Sequence, residues 1–329
     1  PRWCSCRWSP TASGTGLCFA NAVRRGNIGI AGASGTGTQE VTVLVDRLGG
    51  GVSQVLGTGG RDLKEEIGGI MMLDCIAAMA KDPATEVIVL ISKPLAAEVA
   101  EKILHAVKSA GKPAVVCFLN SRATKEECSR ISFCSTLEET AQKAVELSGV
   151  KGPGFQAKPA VLDDIRGGFA PGQRTVCGLF CGGTLCSEAE GIVKAEAGGG
   201  DGHRFIDLGD DEYTVGRPHP MIEPGLRLPF ILKAAEDPAV AVILLDVVIG
   251  FGSHADPAGI LIPAIREAKR IELAAGRQLL FVAYVCGTDK DPQDRREQES
   301  KLAAEGVLLA GSNAAAARLA AAVAAGKGV

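Results

Sequence analysis

The sequence predicts two tandem, doubly wound α/β domains, each built on a parallel sheet with helices on both faces. Three observations predict this. Runs such as 86–91 and 240–245 are largely apolar throughout rather than alternating, as in strands covered on both sides. These runs alternate with helix-period segments along the chain, which reads as a parallel sheet with crossover helices. The third observation is a repeat. Asp82-Pro83-Ala84 returns 155 residues later as Asp237-Pro238-Ala239, each ahead of an apolar run, and Ser34-Gly35-Thr36 returns in related form 148 residues on as Gly182-Gly183-Thr184. A repeated unit of this size is a domain pair, since solenoid repeats are much shorter.

Residues 1–17 stand apart from the rest. They hold both tryptophans, Trp3 and Trp8, with Cys4 and Cys6 among Pro, Arg and Ser, and are expected to be an unstructured tail or the remnant of an upstream region. The first domain is expected over 18–149. It opens with a strand at 27–31, then a glycine-rich turn, a helix from about Thr38 to Leu48 and a strand at 52–56. A helix from about Glu66 to Lys81 carries Ile67, Ile70, Met71, Ile76 and Met79. Strand 86–91, helix 95–110 and strand 113–119 follow. The last helix starts at a capping box, with Ser135 or Thr136 as cap and Glu138 and Glu139 behind, and runs to about Leu147.

Pro and Gly interrupt 150–172, which is expected to be a linker. The second domain is expected over 173–329. Its elements are strand 174–181, helix 185–196, a short strand Phe205–Leu208, helix 224–236, strand 239–246, helix 257–275, strand 278–285 and strand 306–309. An Ala-rich helix after Ser312-Asn313 closes it.

Composition narrows the function classes. A formal net charge of −3 without a basic stripe argues against a nucleic-acid surface. No apolar run approaches the ~20 residues of a membrane span, and the residues at the start show no basic-apolar-small pattern, so no secretory leader is expected. Eleven cysteines include no Cys-x-x-Cys pair, and Cys117, Cys177 and Cys286 lie in apolar runs as small hydrophobes. A cytoplasmic protein without structural disulfides is the expectation. The four histidines are scattered, so no zinc site is expected.

Three turns have the composition to hold an anion. The first contains Ser34, Gly35, Thr36 and Gly37 between a strand and a helix, where unpaired N–H groups and the helix dipole suit phosphate. It matches neither Gly-x-Gly-x-x-Gly nor Gly-Lys-Ser/Thr, so dinucleotide and P-loop fingerprints are excluded. A plain tight turn with a Ser/Thr cap is the equal alternative. Gly182, Gly183 and Thr184 hold the matching place in the second domain. The third turn, Ile249 to Asp256, carries Gly250, Gly252, Ser253 and His254 after strand 239–246 and ends at a helix start. His254 there is a candidate hydrogen-bond donor or proton shuttle, or an exposed loop histidine.

Other candidates are weaker. Arg217, in Arg217-Pro218-His219-Pro220, is either a bidentate clamp for a carboxylate or phosphate or part of a stiff connector. Glu188 is either a base or a first-turn glutamate answering the helix dipole, and Glu40 reads the same way. Cys186 sits in a turn that can stabilise a thiolate but has no histidine near in sequence. His105 reads as a surface residue of its helix.

Several of these segments resemble the succinyl-CoA synthetase superfamily. Ser34-Gly35-Thr36-x-Thr38-Gln39-Glu40 and Lys81-Asp82-Pro83-Ala84-Thr85-Glu86 resemble the synthetase alpha subunit. Phe205-Ile206-Asp207-Leu208-Gly209, Asp237-Pro238 and 240–246 are similar to the ligase domain of the beta subunit. Within the superfamily the FdrA family is the closest resemblance. It is carried by 18–29, Gly182-Gly183-Thr184-Leu185-Cys186, His219-Pro220-Met221-Ile222 and Gly252-Ser253-His254-Ala255-Asp256-Pro257, and it covers the chain from about residue 18 to the end.

The resemblance implies two flavodoxin-like ligase domains and two helices aimed at one phosphoryl group, here those opening at Ser34-Gly35-Thr36 and Gly250-Phe251-Gly252-Ser253. It implies no phosphohistidine relay after strand 113–119, because Asn120 to Cys128 stands where the synthetase carries its histidine. The usual CoA-binding and ATP-grasp domains are expected to be absent. The activity implied is carbamoyl transfer from carbamoyl phosphate to oxamate in allantoin breakdown. Ser34, Gly35, Thr36, Gly252 and Ser253 would hold the phosphate, His254 the carbonyl or proton, and Arg217 the oxamate carboxylate. Two alternatives stand beside it. One is an acyl-CoA synthetase subunit using CoA with a separate nucleotide-binding subunit, and the other is a non-catalytic scaffold or regulatory subunit. Under each, a homo- or hetero-oligomer with partner subunits of the same pathway is expected, with no firm cofactor and no metal.

Overall fold

The computed structural model describes residues 7–8, 19–120, 130–151, 169–170, 172–197 and 202–326. Most of the expected tail 1–17, the segment 121–129 and most of the expected linker lie outside the described residues. The chain divides into two compact units, Pro1–Phe155 and Gln156–Val329, with the boundary inside the segment expected to link them.

In the first unit the elements are β1 (Arg7–Trp8), β2 (Arg25–Gly32), α1 (Gly35–Arg47), β3 (Val52–Gly57), α2 (Ile70–Lys81), β4 (Val87–Ser92), α3 (Ala97–Ser109), β5 (Ala114–Phe118), β6 (Ile131–Phe133) and α4 (Leu137–Leu147). The sheet order is β1-β3-β2-β4-β5-β6; β1 is antiparallel to β3 and every other pair is parallel. The second unit contains β7 (Thr175–Phe180), α5 (Gly183–Glu196), β8 (Arg204–Asp207), α6 (Asp211–Thr214), a 3-10 turn Pro224–Arg227, α7 (Leu228–Glu236), β9 (Val240–Val248), α8 (Pro257–Ala274), β10 (Leu280–Cys286), α9 (Arg295–Ala304), β11 (Leu308–Leu309) and α10 (Asn313–Ala325). Its all-parallel sheet runs β11-β10-β9-β7-β8.

The two orders are the same. Counting the five parallel strands of each unit in chain order gives 2-1-3-4-5, the flavodoxin-type arrangement. Ligands in such sheets gather beyond the strand carboxyl ends at the crevice where the order reverses. That crevice lies at β2/β4 in the first unit and at β7/β9 in the second. The continuous apolar runs are central strands: all six residues of β4 and all nine of β9 are buried. Cys117, Cys177 and Cys286 are buried in β5, β7 and β10. Among the described residues no helix is long and apolar enough to cross a membrane.

Several boundaries differ from the sequence reading, each for a local reason. α1 begins at Gly35 rather than Thr38, because Ser34 caps it. α2 begins at Ile70 rather than Glu66. Gly68 and Gly69 take left-handed φ values, and the Asp62 carboxylate accepts from the N–H groups of Met71 (2.9 Å) and Met72 (2.8 Å), fixing the start there. Thr136, not Ser135, caps α4: its hydroxyl accepts from Glu139 N at 3.1 Å while the Glu139 carboxylate accepts from Ser135 N at 3.0 Å. The helix expected from 224 starts as a 3-10 turn and becomes α-helical at Leu228. β1, β6, α6 and α9 had no counterpart in the sequence reading; β1 lies within 1–17, expected to be an unstructured tail or remnant, and pairs with β3 through Arg7↔Leu56 and Trp8↔Val55. β1 has two residues, β6 and α6 have three and four, and α9 buries only Gln298 and Leu302, so it shows no apolar period.

Candidate functional site

At the end of β2 the chain turns through Ala33 and Ser34 into α1. The Ser34 hydroxyl accepts from Gly37 N at 3.0 Å, and Thr38 Oγ1 donates back to Ser34 O at 2.5 Å. The cap is therefore a neutral hydroxyl. Gly35 is exposed, and a Cβ added to it would meet nothing within 4 Å. The first turn of α1 thus offers backbone N–H groups and a positive dipole end without an internal carboxylate as its cap.

The matching turn of the second unit is filled. The carboxylate of Asp246, on β9, accepts from Cys181 N at 2.8 Å and from Gly182 N at 2.9 Å, just where α5 begins. Arg227 Nη1 reaches the same carboxylate at 3.2 Å and the Asp246 carbonyl at 2.5 Å. Burial pushes the Asp246 carboxyl above the usual carboxylate range, while Arg227 and the two N–H groups pull it back. Burial and the adjacent Asp246 charge hold the Cys181 thiol far above its ordinary value, so it stays protonated. Gly182, Gly183 and Thr184, expected to cradle an anion, thus follow a buried carboxylate that takes the Gly182 N–H, while α5 itself has no side-chain cap. A second anion there would face the Asp246 carboxylate.

The Gly250–Ser253 segment does not open a helix, contrary to expectation. α8 starts at Pro257, and its cap is Asp256, whose carboxylate accepts from Gly259 N at 3.1 Å and pairs with Lys301 at 3.0 Å. Burial opposes charge on Asp256, but hydrogen bonds from Lys301 and Gly259 N outweigh it and keep its pKa low. The amide-rich tip assigned to Gly252 and Ser253 is instead a loop, possible because Gly250 and Gly252 hold φ values of 128° and 89°.

His254 is held within this loop at three points. Its N–H donates to Met221 O at 2.9 Å, its Nδ1 accepts from Asp256 N at 3.0 Å, and its carbonyl accepts from Gln293 Nε2 at 3.0 Å. Bonding at Nδ1 places the neutral ring's proton on Nε2. Gln293, absent from the sequence-derived candidates, also donates to Gly250 O at 2.9 Å and accepts from Gly250 N at 3.0 Å. The loops following β9 and β10 are thus joined to the 219–223 segment around His254.

The remaining candidates separate. Glu188 lies in the second turn of α5, 2% exposed, and accepts from Asn313 Nδ2 of α10 at 2.7 Å; this is an interhelical polar contact, not a first-turn or solvent-facing base. Glu40 is likewise buried in α1, and Cys186 is buried in α5. Arg217 is exposed in the segment before His219. His219 Nδ1 accepts from Met221 N at 3.2 Å, and burial holds its imidazole down to about 4. His105 is exposed on α3, as expected.

Residues 23–120 match the model for the CoA binding domain and residues 179–323 that for CoA-ligase. The first match corrects the expectation that a CoA-binding domain is missing.

The chain is 47% identical over 322 residues to the uncharacterized protein YahF of Escherichia coli (strain K12), across 92% of this chain and 62% of that protein. It is 25% identical over 160 residues to succinate–CoA ligase [ADP-forming] subunit alpha 1 of Archaeoglobus fulgidus, across 48% of this chain and 53% of that one. The chain therefore spans between half and two thirds of these relatives' lengths. Among solved structures it is similar to a dinucleotide-forming acetyl-coenzyme A synthetase 1 of Ca. Korarchaeum cryptofilum, in complex with phosphate and ADP. That similarity covers 93% of this chain and 65% of that one at 14% identity, with a TM-score of 0.32. The fold stands on the strand orders themselves.

Proposed function

We propose that this chain takes part in group transfer from a carbonyl phosphate, the chemistry of acyl-CoA synthetases and their relatives. The observation that carries it is the contrast between the two copies of one turn. The turn into α5 lies against the buried Asp246 carboxylate, which takes the Gly182 N–H, whereas the turn into α1 has the neutral Ser34 cap and an open Gly35. Unit one would supply the phosphate contacts through Ser34, Gly35 and Thr36. Within the second unit, His254 would donate a hydrogen bond from Nε2 and Arg217 would hold a carboxylate. The matches to CoA-binding and CoA-ligase domains support this class.

Within it the substrate pair we favour is carbamoyl phosphate and oxamate. The oxamate nitrogen attacks the carbamoyl carbon, the C–O bond to phosphate breaks, and the nitrogen's proton is lost as oxalurate and phosphate form. One sequence feature supports a direct transfer: no histidine lies between His105 and His203, so the segment directly following β5 carries none to accept a phosphoryl group. The alternative, acyl-CoA formation with a separate nucleotide-binding subunit, is favoured by the CoA-binding match and requires thioester product.

Calorimetric titration with acetyl phosphate and carbamoyl phosphate, on the wild type and Gly35→Asp, tests the shared class. An acid in the first helical turn does not cost stability, so the variant stays folded and loses at least tenfold in affinity. Equal affinity in both proteins, or no binding by the wild type, ends the reading. Product analysis with oxamate, or with CoA and a carboxylic acid, then separates the two chemistries.

A further inference from the structure

We infer that Gln293 is the positioning residue of His254, and that the β10–α9 segment exists to present the His254 loop. This rests on the hydrogen-bond donor role given above to His254.

The argument starts from the backbone. A loop with two glycines at positive φ has little intrinsic preference for one shape. Its buried N–H and C=O groups also need partners. One side chain satisfies both ends of it. Gln293, 6% exposed, takes the Gly250 N–H on its oxygen and gives its amide protons to the carbonyls of Gly250 and His254.

The hold on His254 passes through its carbonyl. That carbonyl begins the short link to Asp256, whose N–H bonds His254 Nδ1. Releasing it frees the turn to rotate and breaks the bond that keeps the ring proton on Nε2. The rest of the segment braces the same stretch. Gln298 Oε1 accepts from Ala258 N at 3.0 Å in the first turn of α8, Gln298 Nε2 bonds Gln293 O at 3.2 Å, and Lys301 pairs with Asp256. Asp294, directly after Gln293, holds a φ of 50°, a conformation side chains other than glycine adopt at a cost. Such strain beside a buried clamp fits a segment shaped for positioning rather than for its own stability.

The test uses the full chain labelled with 15N-histidine, the four imidazoles assigned through single His→Gln variants. Gln293→Met keeps length and removes every side-chain hydrogen bond Gln293 makes; Gln293→Glu keeps the acceptor and removes both donors. In the wild type His254 shows one tautomer, with the proton on Nε2. Both variants are expected to show tautomer averaging at His254 with His105, His203 and His219 unchanged, and in the transfer assay about a tenfold drop in kcat with KM within twofold. Gln298→Met, which loosens α8 without touching the His254 carbonyl, is expected to leave the tautomer fixed. An unaltered His254 tautomer in either folded Gln293 variant overturns the inference, as does a KM effect without a kcat effect. The tautomer readout needs no substrate. A wild type that binds no carbonyl phosphate therefore sinks the functional reading while Gln293 is still judged on His254 alone.

Discussion

Arg227 and Asp246 form an ion pair at 3.2 Å with side chains 1% and 0% exposed, and the carboxylate simultaneously accepts from the Cys181 and Gly182 N–H groups that lead into α5. The repeat shows what this pair replaces. The 155-residue spacing that relates Asp82 to Asp237 relates Ile91 of β4 to Asp246 of β9. One copy therefore places an apolar side chain at the strand end beside its helix tip, and the other places a charge there. We predict that Arg227→Met destabilises the chain by about 3–5 kcal/mol, because it strands a buried carboxylate. The double variant Asp246→Asn/Arg227→Met costs less than Arg227→Met alone, since the unpaired charge is gone. Denaturant unfolding of the three proteins measures this, and a double variant worse than Arg227→Met would contradict it.

His219 predicts a pH dependence. Its folded pKa is lowered to about 4, against about 6.5 for a free imidazole. The unfolded chain therefore binds a proton that the folded chain refuses between these values. The stability His219 provides is fully present above pH 6.5 and is lost as pH falls toward 4. The loss attributable to this residue is no more than about 3 kcal/mol. Urea unfolding at pH 7.5, 6 and 4.5 should show a gap between wild type and His219→Gln that narrows as pH falls. A gap independent of pH would refute the assignment.

What the sequence made legible, and what it hid, follows from the range of the interactions involved. The strands of both units were readable because burial on both faces leaves an unbroken apolar run, as in β4 and β9, and the duplication was readable from the Asp82 and Asp237 turns. The Ser34 cap was readable because capping acts across three residues. The fate of Gly182-Gly183-Thr184 was not, since it depends on Asp246, 64 residues away from Gly182. Gln293 was hidden in the same way, reaching Gly250 across 43 residues from a polar stretch without an apolar period. Its local signal, an Asp-Pro-Gln run just after a buried strand, marks a turn but not its target.

The turn into α1 also predicts a steric coupling. A Cβ at Gly32 would lie 2.0 Å from Thr38 Oγ1, the hydroxyl that donates to Ser34 O. Gly32→Ala is therefore expected to cost about 1–3 kcal/mol by overpacking. The same substitution made in Thr38→Ala costs less, because the colliding oxygen is absent. A double-mutant cycle by thermal unfolding should give a coupling of at least about 0.5 kcal/mol; strict additivity would mean that the turn relaxes in some other way.

Glu188 supplies the last prediction, because base and interhelical contact diverge experimentally. Its carboxylate accepts from Asn313 Nδ2 at 2.7 Å, and the same amide group donates to Leu185 O at 3.0 Å, so one Asn313 side chain ties α10 to α5 twice. Asn313→Ala deprives two buried oxygens of a donor and is expected to cost about 1–3 kcal/mol. Glu188→Gln keeps the shape and an oxygen able to accept the same proton, so it should cost less than Asn313→Ala. A base would behave in the opposite way. Glu188→Gln would then abolish transfer at unchanged stability, while Asn313→Ala would reduce it only through unfolding. Measuring unfolding free energy and transfer rate on both variants decides between the two roles. The geometry of α5 and α10 predicts that stability falls with Asn313 and that the rate survives Glu188→Gln.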